Sequence, residues 1–123
     1  MVIVMRNDLN MRKGKMVAQG AHAAMKDLVL KIMAAANGTG TLDFDEAETD
    51  WYGANFKKVC VKADSEAHLL AIVEAAKAKG LRVQLITDRG LTEFGGVPTH
   101  TCAGIGPHFD ADFIGITDQL TLM

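Results

Sequence analysis

Two stretches of the sequence carry side chains that could act together in catalysis. In the first, four polar residues recur at steps of four, three and four positions: Lys15, Gln19, His22 and Lys26. On a helix these steps place the side chains in one stripe. In the second, a carboxylate stands among hydroxyl groups: Asp88 with Thr87, Thr92, Thr99 and Thr101. A carboxylate within hydrogen-bond reach of a water can act as a general base.

Each stretch also has a purely structural interpretation. The stripe can be the solvated face of an amphipathic helix, although the small residues around Gln19 and His22 would let a substrate or another backbone come close. Asp88 can cap its own loop through an Asx turn. Residue types and spacing leave both interpretations open.

The start of the predicted first helix breaks a local rule. A helix N-terminus carries partial positive charge and favours Asp or Glu, yet Arg12, Lys13 and Lys15 crowd this one. Cations together with free backbone N–H groups form an anion site, suited to a phosphate or a developing oxyanion. The alternative is a solvated basic turn without a ligand.

Charge and composition limit the function classes. The chain has 123 residues, 49% of them hydrophobic and 23% charged, which predicts one globular domain over residues 1–123. The net charge of -2 argues against coating nucleic acid by bulk charge. The charge is unevenly distributed, because residues 1–40 hold six Lys and Arg against two Asp, a balance of +4 that leaves -6 for the remainder.

Other kinds of site find no support in the sequence. Cys60 and Cys102 lie in predicted strands without metal-ligand spacing, so buried inert thiols are favoured over a nucleophile. There is no glycine-rich phosphate loop or nucleophile elbow, and no stretch approaches the roughly 20 apolar residues of a membrane span. We expect no metal, no cofactor and no membrane partner, and a reducing, cytoplasmic location.

The elements that must position these residues alternate between strand and helix. The patterns predict strands at 2–5, 57–61, 83–87 and 101–105, and helices at 14–36 and from Ser65 to Gly80. The segment 88–99 is a long loop and a functional candidate. The acidic segment 43–50 with Trp51 is interpreted as a solvated short helix or loop, with an interaction patch as the alternative. The tail from His108 is predicted to form a short helix or turn and an edge segment. This order predicts an α/β fold, a three-layer α/β/α sandwich with a mixed, roughly four-stranded sheet.

Four blocks of the chain resemble the peptidyl-tRNA hydrolase 2 family, the archaeal and eukaryotic type. The first, RNDLNMRKGKMVAQGAHA at 6–23, is similar to the family's R-x-D-L-x-M-x-x-G-K-x-x-A-Q-x-x-H-A. The others follow in family order: DRGLTE at 88–93, THT at 99–101 leading into GIGP at 104–107, and ITDQLTL at 116–122. The chain departs from the family pattern at Arg89, usually Ala, and at Gly20, often Cys. Its 94–98 stretch also has one residue more than the usual loop.

The resemblance implies a set of functional residues. The positions matching the family's active site are Lys15, Gln19, Asp88, Thr92 and Thr101. Substrate contacts are expected from Arg12, Lys13, His22, Arg89 and Thr99. The substrate would be peptidyl-tRNA, hydrolysed at its ester by water without a metal or an acyl-enzyme. The resemblance also implies a homodimer.

Each active-site residue has an expected role in that reaction. Lys15 would hold the 3′-end phosphate or the oxyanion, and Asp88, helped by Thr92 or Thr101, would position the water. Gln19 would donate to the ester or the peptide carbonyl. One alternative is a non-catalytic tRNA- or protein-binding member of the fold, and another is a thiol hydrolase that uses Cys102.

Overall fold

A single four-stranded sheet lies between helices in the computed structural model, which describes residues 1–123. The strands are β1 Val2–Arg6, β2 Val59–Ala63, β3 Val83–Asp88 and β4 Thr99–Ile105. The helices are α1 Lys13–Ala36, α2 Glu46–Gly53 and α3 Glu66–Ala78, and a short 3-10 helix spans Asp110–Phe113.

The sheet is mixed, as predicted. Its order is β2-β1-β4-β3, with β1 parallel to β2 and β4 antiparallel to both β1 and β3. Helix α1 packs on one face and α3 on the other, which confirms the α/β/α sandwich. The arrangement leaves β3, the strand that ends in Asp88, at the sheet edge beside α1.

The central strand β1 is buried on both sides, which explains its uninterrupted apolar run. Val2 and Val4 face α3 and join a core with Leu69 and Val73. Ile3 and Met5 face α1 in a smaller cluster, whose other buried members are Met11, Ala23, Ile86 and Cys102. The core on the α1 side is therefore the thinner of the two.

Helix α1 covers the predicted range, but its polar stripe is solvated only in part: Lys15 and Gln19 lie against the sheet edge, while His22 and Lys26 are exposed. Gln19 and Ala23 are its buried residues, while Val17 is 73% and Met25 57% exposed. Interpreting the stripe as the solvated face is wrong for Gln19, because polar groups of β3 and β4 lie opposite it. Val17 and Met25 point outward, whereas Met16, Ala23 and Ala24 pack against the sheet.

Gly104 on β4 sets the distance between α1 and the sheet. A Cβ atom at this position would lie 2.3 Å from the Ala23 carbonyl oxygen of α1. Because that oxygen belongs to the helix backbone, it cannot rotate away. Only glycine lets α1 come close enough for its short polar side chains to reach β3 and β4.

Three predicted segments differ in detail from the structure. Strand β4 begins at Thr99 rather than residue 101, so the loop after β3 ends at Pro98. Strand β2 begins at Val59 rather than residue 57, because the Lys57 carbonyl accepts a hydrogen bond from the Trp51 indole at 2.6 Å. The acidic segment forms α2, and a capping box between Asp45 and Glu48 stabilises the start of this helix. Glu48 is buried between Lys31 and Arg82 rather than solvated.

The C-terminal tail matches its prediction of a short helix and an edge segment. After the 3-10 helix the chain returns to β2, where Leu122 forms an isolated bridge with Val61. Among the helices, none combines the length and the apolar character needed to cross a bilayer.

We expect Gly104→Ala to destabilise the fold by about 1–3 kcal/mol, as overpacking a rigid contact does. The measurement is the urea unfolding midpoint, followed by circular dichroism. Gly53→Ala is the matched control, because nothing lies within 4 Å of a Cβ there. An unchanged midpoint for Gly104→Ala would contradict the role given to this contact.

Candidate active site

The Asp88 carboxylate lies at the end of β3 and joins three elements. From α1, Lys15 Nζ donates to Asp88 Oδ1 at 2.8 Å and Gln19 Nε2 donates to the same oxygen at 3.1 Å. From β4, the Thr101 hydroxyl donates to Gln19 Oε1 at 2.5 Å. The two stretches of sequence whose side chains could act together in catalysis therefore meet at one point.

The loop after β3 completes the environment of Asp88. The Gly90 backbone N–H donates to Asp88 Oδ2 at 2.8 Å. Gly90 has φ +80°, and a Cβ would lie 2.2 Å from the Val97 carbonyl oxygen, so the turn requires glycine. Asp88 thus caps its own loop, as the structural interpretation of this residue proposed. It also contacts Lys15, so the two interpretations hold together.

The surroundings of Asp88 keep it ionised. The hydrogen bond from Lys15 is the main cause that lowers the pKa of Asp88, and the donors Gly90 and Gln19 add to it. A carboxylate offers about four lone-pair positions, of which these three donors take three. One position remains for a water molecule. Because its pKa is low, this carboxylate orients a water better than it accepts the water's proton.

Lys15 also keeps a donor available. Its ammonium group contacts Asp88 and, at 3.0 Å, the Thr92 hydroxyl. An ammonium has three N–H donors, so one remains for an anion or an oxyanion in the cavity. The side chain is only 12% exposed, which strengthens its electrostatic interactions relative to bulk water.

Two carboxylates from the region after β3 lie against the basic start of α1. The helix has no side-chain cap and no acid in its first turn. Instead Glu93 of the loop accepts from Arg12 Nε at 2.7 Å and from the Arg12 backbone N–H at 3.4 Å. Arg12 is the main cause that lowers the pKa of Glu93. Glu93 and Asp88 offset the basic helix start that the sequence left unexplained.

A cavity of about 370 Å³ opens beside the Lys15–Asp88 pair. Among the predicted site residues, those that line it are Lys15, Gln19, His22, Asp88, Arg89 and Thr92; Thr87 and Leu91 complete the wall. The cavity thus brings together residues from α1, β3 and the loop.

Four predicted residues lie elsewhere. Thr101 is fully buried behind Gln19 and reaches the cavity only through it. Lys13 borders a different cavity on the other flank of α1. The Thr99 hydroxyl donates to the Val97 carbonyl at 2.8 Å within the turn. Arg12 is paired with Glu93 at the rim.

Arg6 supports the site and was not singled out from the sequence. This buried guanidinium donates to both Asp8 oxygens, at 3.0 and 2.7 Å, and to the His100 carbonyl at 3.0 Å. It therefore ties the segment before α1 to the start of β4. An arginine that directly follows an apolar strand, with Asp two positions later, was the available signal.

The cysteines take no part in the cavity. The expected buried, unpaired thiol is confirmed for Cys102, whose Sγ donates to the Gln19 carbonyl at 3.3 Å. Burial raises the pKa of Cys102 to about 12, so the thiol stays protonated near neutral pH, which disfavours the thiol-hydrolase alternative. No group of three His, Cys, Asp or Glu side chains is arranged to hold a metal ion.

Fold and site together define an α/β protein in which a firmly ionised carboxylate and an ammonium donor share one open cavity. Comparison with known proteins gives this class a family. The chain belongs to the family described as "Peptidyl-tRNA hydrolase PTH2", whose model matches residues 1–123. The family that the sequence motifs suggested is therefore confirmed.

Curated relatives agree over their whole length. A protein named "Peptidyl-tRNA hydrolase" from Metallosphaera sedula is 41% identical over 123 residues, covering 100% of this chain and 98% of its own. One of the same name from Methanocaldococcus jannaschii is 39% identical with the same coverage. Another, from Haloquadratum walsbyi, is 37% identical over 120 residues, covering 98% of this chain and 96% of its own.

We expect Lys15→Met to raise the pKa of Asp88, because it removes the donor that lowers this pKa most. In the wild type the folded-state pKa lies below the unfolded value. The ionised carboxylate therefore stabilises the fold above the unfolded pKa, and this contribution is lost as pH falls through the folded pKa. ¹³C NMR titration of the Asp88 carboxyl measures both proteins. Lys77→Met on α3 is the control, and equal midpoints for Lys15→Met and wild type would contradict the assignment.

Proposed function

We propose that residues 1–123 act as one hydrolase domain that cleaves the ester of peptidyl-tRNA at the cavity beside Lys15 and Asp88. Membership of the family makes the chain a peptidyl-tRNA hydrolase, which releases free peptide and tRNA. The observation that carries the site assignment is the 2.8 Å pair of Lys15 and Asp88 on an open cavity wall.

Water is the nucleophile in this proposal. The remaining acceptor position of Asp88 would hold a water. The Thr92 hydroxyl accepts from Lys15, which also contacts Asp88, so its own hydrogen would be free to donate to that water. Attack on the ester carbonyl would form the tetrahedral intermediate directly, without an acyl-enzyme. As the bond from the carbonyl carbon to the ribose oxygen then breaks, that oxygen would take one proton of the water and leave as the tRNA hydroxyl, and the other proton would be released to solvent when the peptide carboxyl group ionises. Because the water would be held next to the ester carbonyl, part of the entropic barrier to the attack would be removed.

Lys15 stabilises the negative charge that develops during the attack. Its remaining N–H would donate to the carbonyl oxygen as it becomes an oxyanion, or to the 3′-end phosphate next to it. A donor held in place before the reaction needs no reorganisation, which is the main source of oxyanion stabilisation. Asp88 contributes here too, because it fixes the ammonium group.

Gln19 and Thr101 act as one positioning unit. Because the Thr101 hydroxyl donates to Gln19 Oε1, the amide nitrogen must turn toward Asp88 and the cavity. Gln19 can then donate to the ester or the peptide carbonyl. Thr101 orients Gln19 in this scheme and does not contact the substrate.

The exposed cations near the cavity suit the RNA part of the substrate. Arg89 lines the cavity, and the side chain of Arg12 at its rim is 79% exposed. With Lys13, which lies at the same helix start but borders the cavity on the other flank of α1, they give local attraction for phosphates in a chain of net charge -2. Two further residues remain proposed substrate contacts: His22, which lines the cavity, and Thr99, at the start of β4. The unpaired cysteines support a reducing, cytoplasmic location.

Asp88→Asn keeps the shape of the side chain but removes its charge, and Lys15→Ala removes the oxyanion donor. We expect each to lower kcat/KM by about 100-fold or more, the typical cost of such a group. The measurement is release of labelled peptide from peptidyl-tRNA. Glu74→Gln and Lys77→Ala make the same charge changes on α3 and should leave the rate unchanged.

Two results would count against the proposal. If the wild type releases no peptide, the enzyme function is wrong and a non-catalytic binding role takes its place. If Asp88→Asn and Lys15→Ala release peptide as fast as the wild type, the site assignment is wrong.

We also propose that the chain forms a homodimer through the flank of α1 that faces β1 and β2. This flank borders an apolar cavity of about 670 Å³, lined by Met16, Val17, Gly20 and Ala24 of α1 and by Ile3 and Cys60 of the sheet, among others. Exposed apolar surface of this kind is rare on monomers and typical of interfaces. A second copy would cover the outward side of α1.

We expect light scattering to give twice the chain mass of 13.2 kDa for the wild type. Val17→Lys, which places a charge on the exposed apolar flank, should shift the protein to the monomer mass. Ile114→Lys is the control, because Ile114 is similarly exposed but lies in the tail. A wild type that stays monomeric at micromolar concentration would contradict the dimer.

A further inference from the structure

The catalytic cavity continues into a second cavity that none of the expected residues explains. This second cavity has a volume of about 620 Å³ and is lined by Ala21, His22, Met25, Lys26, Val29, Ile86 and Thr87. His22 and Thr87 line both cavities. The two therefore form one channel along the flank of α1 that faces β3; Ala21 and Met25 also border the apolar cavity of the proposed dimer flank. We name the second cavity the α1–β3 groove.

We infer that the α1–β3 groove binds the peptide chain of the substrate, an inference that rests on the proposed function. The ester joins an RNA end to a peptide carboxyl group, so a peptide must leave the reacting carbon on one side. The groove begins at the cavity wall formed by His22 and Thr87, next to Lys15 and Asp88. It is thus placed to receive the residues that precede the ester.

The lining of the groove suits a peptide better than RNA. Four of its side chains are apolar, Ala21, Met25, Val29 and Ile86, and its single cation is Lys26. Lys26 Nζ already donates to the Leu85 carbonyl at 2.9 Å. A phosphodiester chain needs several cations, and the exposed ones lie toward the start of α1, at Arg12 and Arg89. Charge therefore separates the RNA side of the site from the peptide side.

The backbone of β3 offers a second means of binding. Because the sheet order is β2-β1-β4-β3, the outer side of β3 has no partner strand. An edge strand presents N–H and C=O groups that an extended peptide can pair with, independent of its side chains. The Leu85 carbonyl already accepts from Lys26, so the pairing would use the other backbone groups of β3. Backbone pairing with apolar contacts alongside is suited to a substrate whose sequence varies.

The length of the groove gives the number of peptide residues it holds. Helix α1 rises about 1.5 Å per residue, so the groove residues from Ala21 to Val29 span about 12 Å. An extended peptide advances about 3.3 Å per residue. The groove therefore accommodates about four residues, with Val29 beside the residue furthest from the ester.

Two substrates of different length test this inference. One is a tRNA that carries a tetrapeptide of leucine, and the other is N-acetyl-leucyl-tRNA, which is too short to reach Val29. We expect the wild type to show a higher kcat/KM for the tetrapeptidyl substrate. Val29→Glu, which places a charge in the groove, should lower the ratio of the two kcat/KM values by about tenfold, a typical value for one apolar contact.

Ile32→Glu is the matched control. Ile32 is 44% exposed and Val29 is 42% exposed; both are β-branched residues of α1, but Ile32 lines neither cavity. We expect Ile32→Glu to keep the wild-type ratio. Inhibition by deacylated tRNA should be the same in Val29→Glu and wild type.

The outcomes separate this inference from the proposed function. If the wild type cleaves neither substrate, the proposed function fails. If it cleaves both and Val29→Glu leaves the ratio unchanged, the groove does not bind peptide, although the function stands. If Val29→Glu weakens inhibition by deacylated tRNA, the groove binds RNA and the inference is wrong.

Discussion

The hydrogen bonds that converge on Asp88 hold the proposed active site together. Three donors from two segments, α1 and the loop after β3, end on one carboxylate, and a fourth bond from β4 orients one of them. Removing the charge would leave Lys15 and Gln19 without their main acceptor in a partly buried place, which is costly. The site and the contact between α1 and the sheet edge thus depend on the same group.

Along part of its length, α1 reverses the usual orientation of an amphipathic helix. A surface helix normally packs its apolar stripe on the sheet, but α1 presents Lys15, Gln19 and Lys26 to β3 and leaves Val17 and Met25 outside. The close contact at Gly104 makes the reversal possible, because it brings the helix backbone against β4. Because the helix packs in this way, its apolar flanks stay exposed. They provide the surfaces that we assign to a second copy and to the peptide.

Much of the fold follows from local patterns, and the site follows in part. The strand at 2–5 and the long helix were predictable because burial on both faces and helical spacing leave clear signals. Lys15, Gln19 and Asp88 were found from spacing and resemblance. Thr101 was expected to help Asp88 position the water, but it lies buried behind Gln19; its place depends on the register between β4 and α1, which no local pattern shows. Helical phase separates Lys13 from Lys15 by about 200°, so the position of Lys13 on the other flank was predictable from the sequence.

The basic start of α1 shows why the loop after β3 is long. Three cations at a helix N-terminus oppose the helix dipole, and an acid within the first turn would offset them locally. Such an acid would also take up the donor of Lys15 on the helix itself. Glu93 and Asp88 instead arrive from a separate segment, one at Arg12 and one at Lys15. The loop thereby neutralises the helix start while leaving one face of the Lys15–Asp88 pair open to the cavity, and that opening is what distinguishes a reactive site from a structural ion pair.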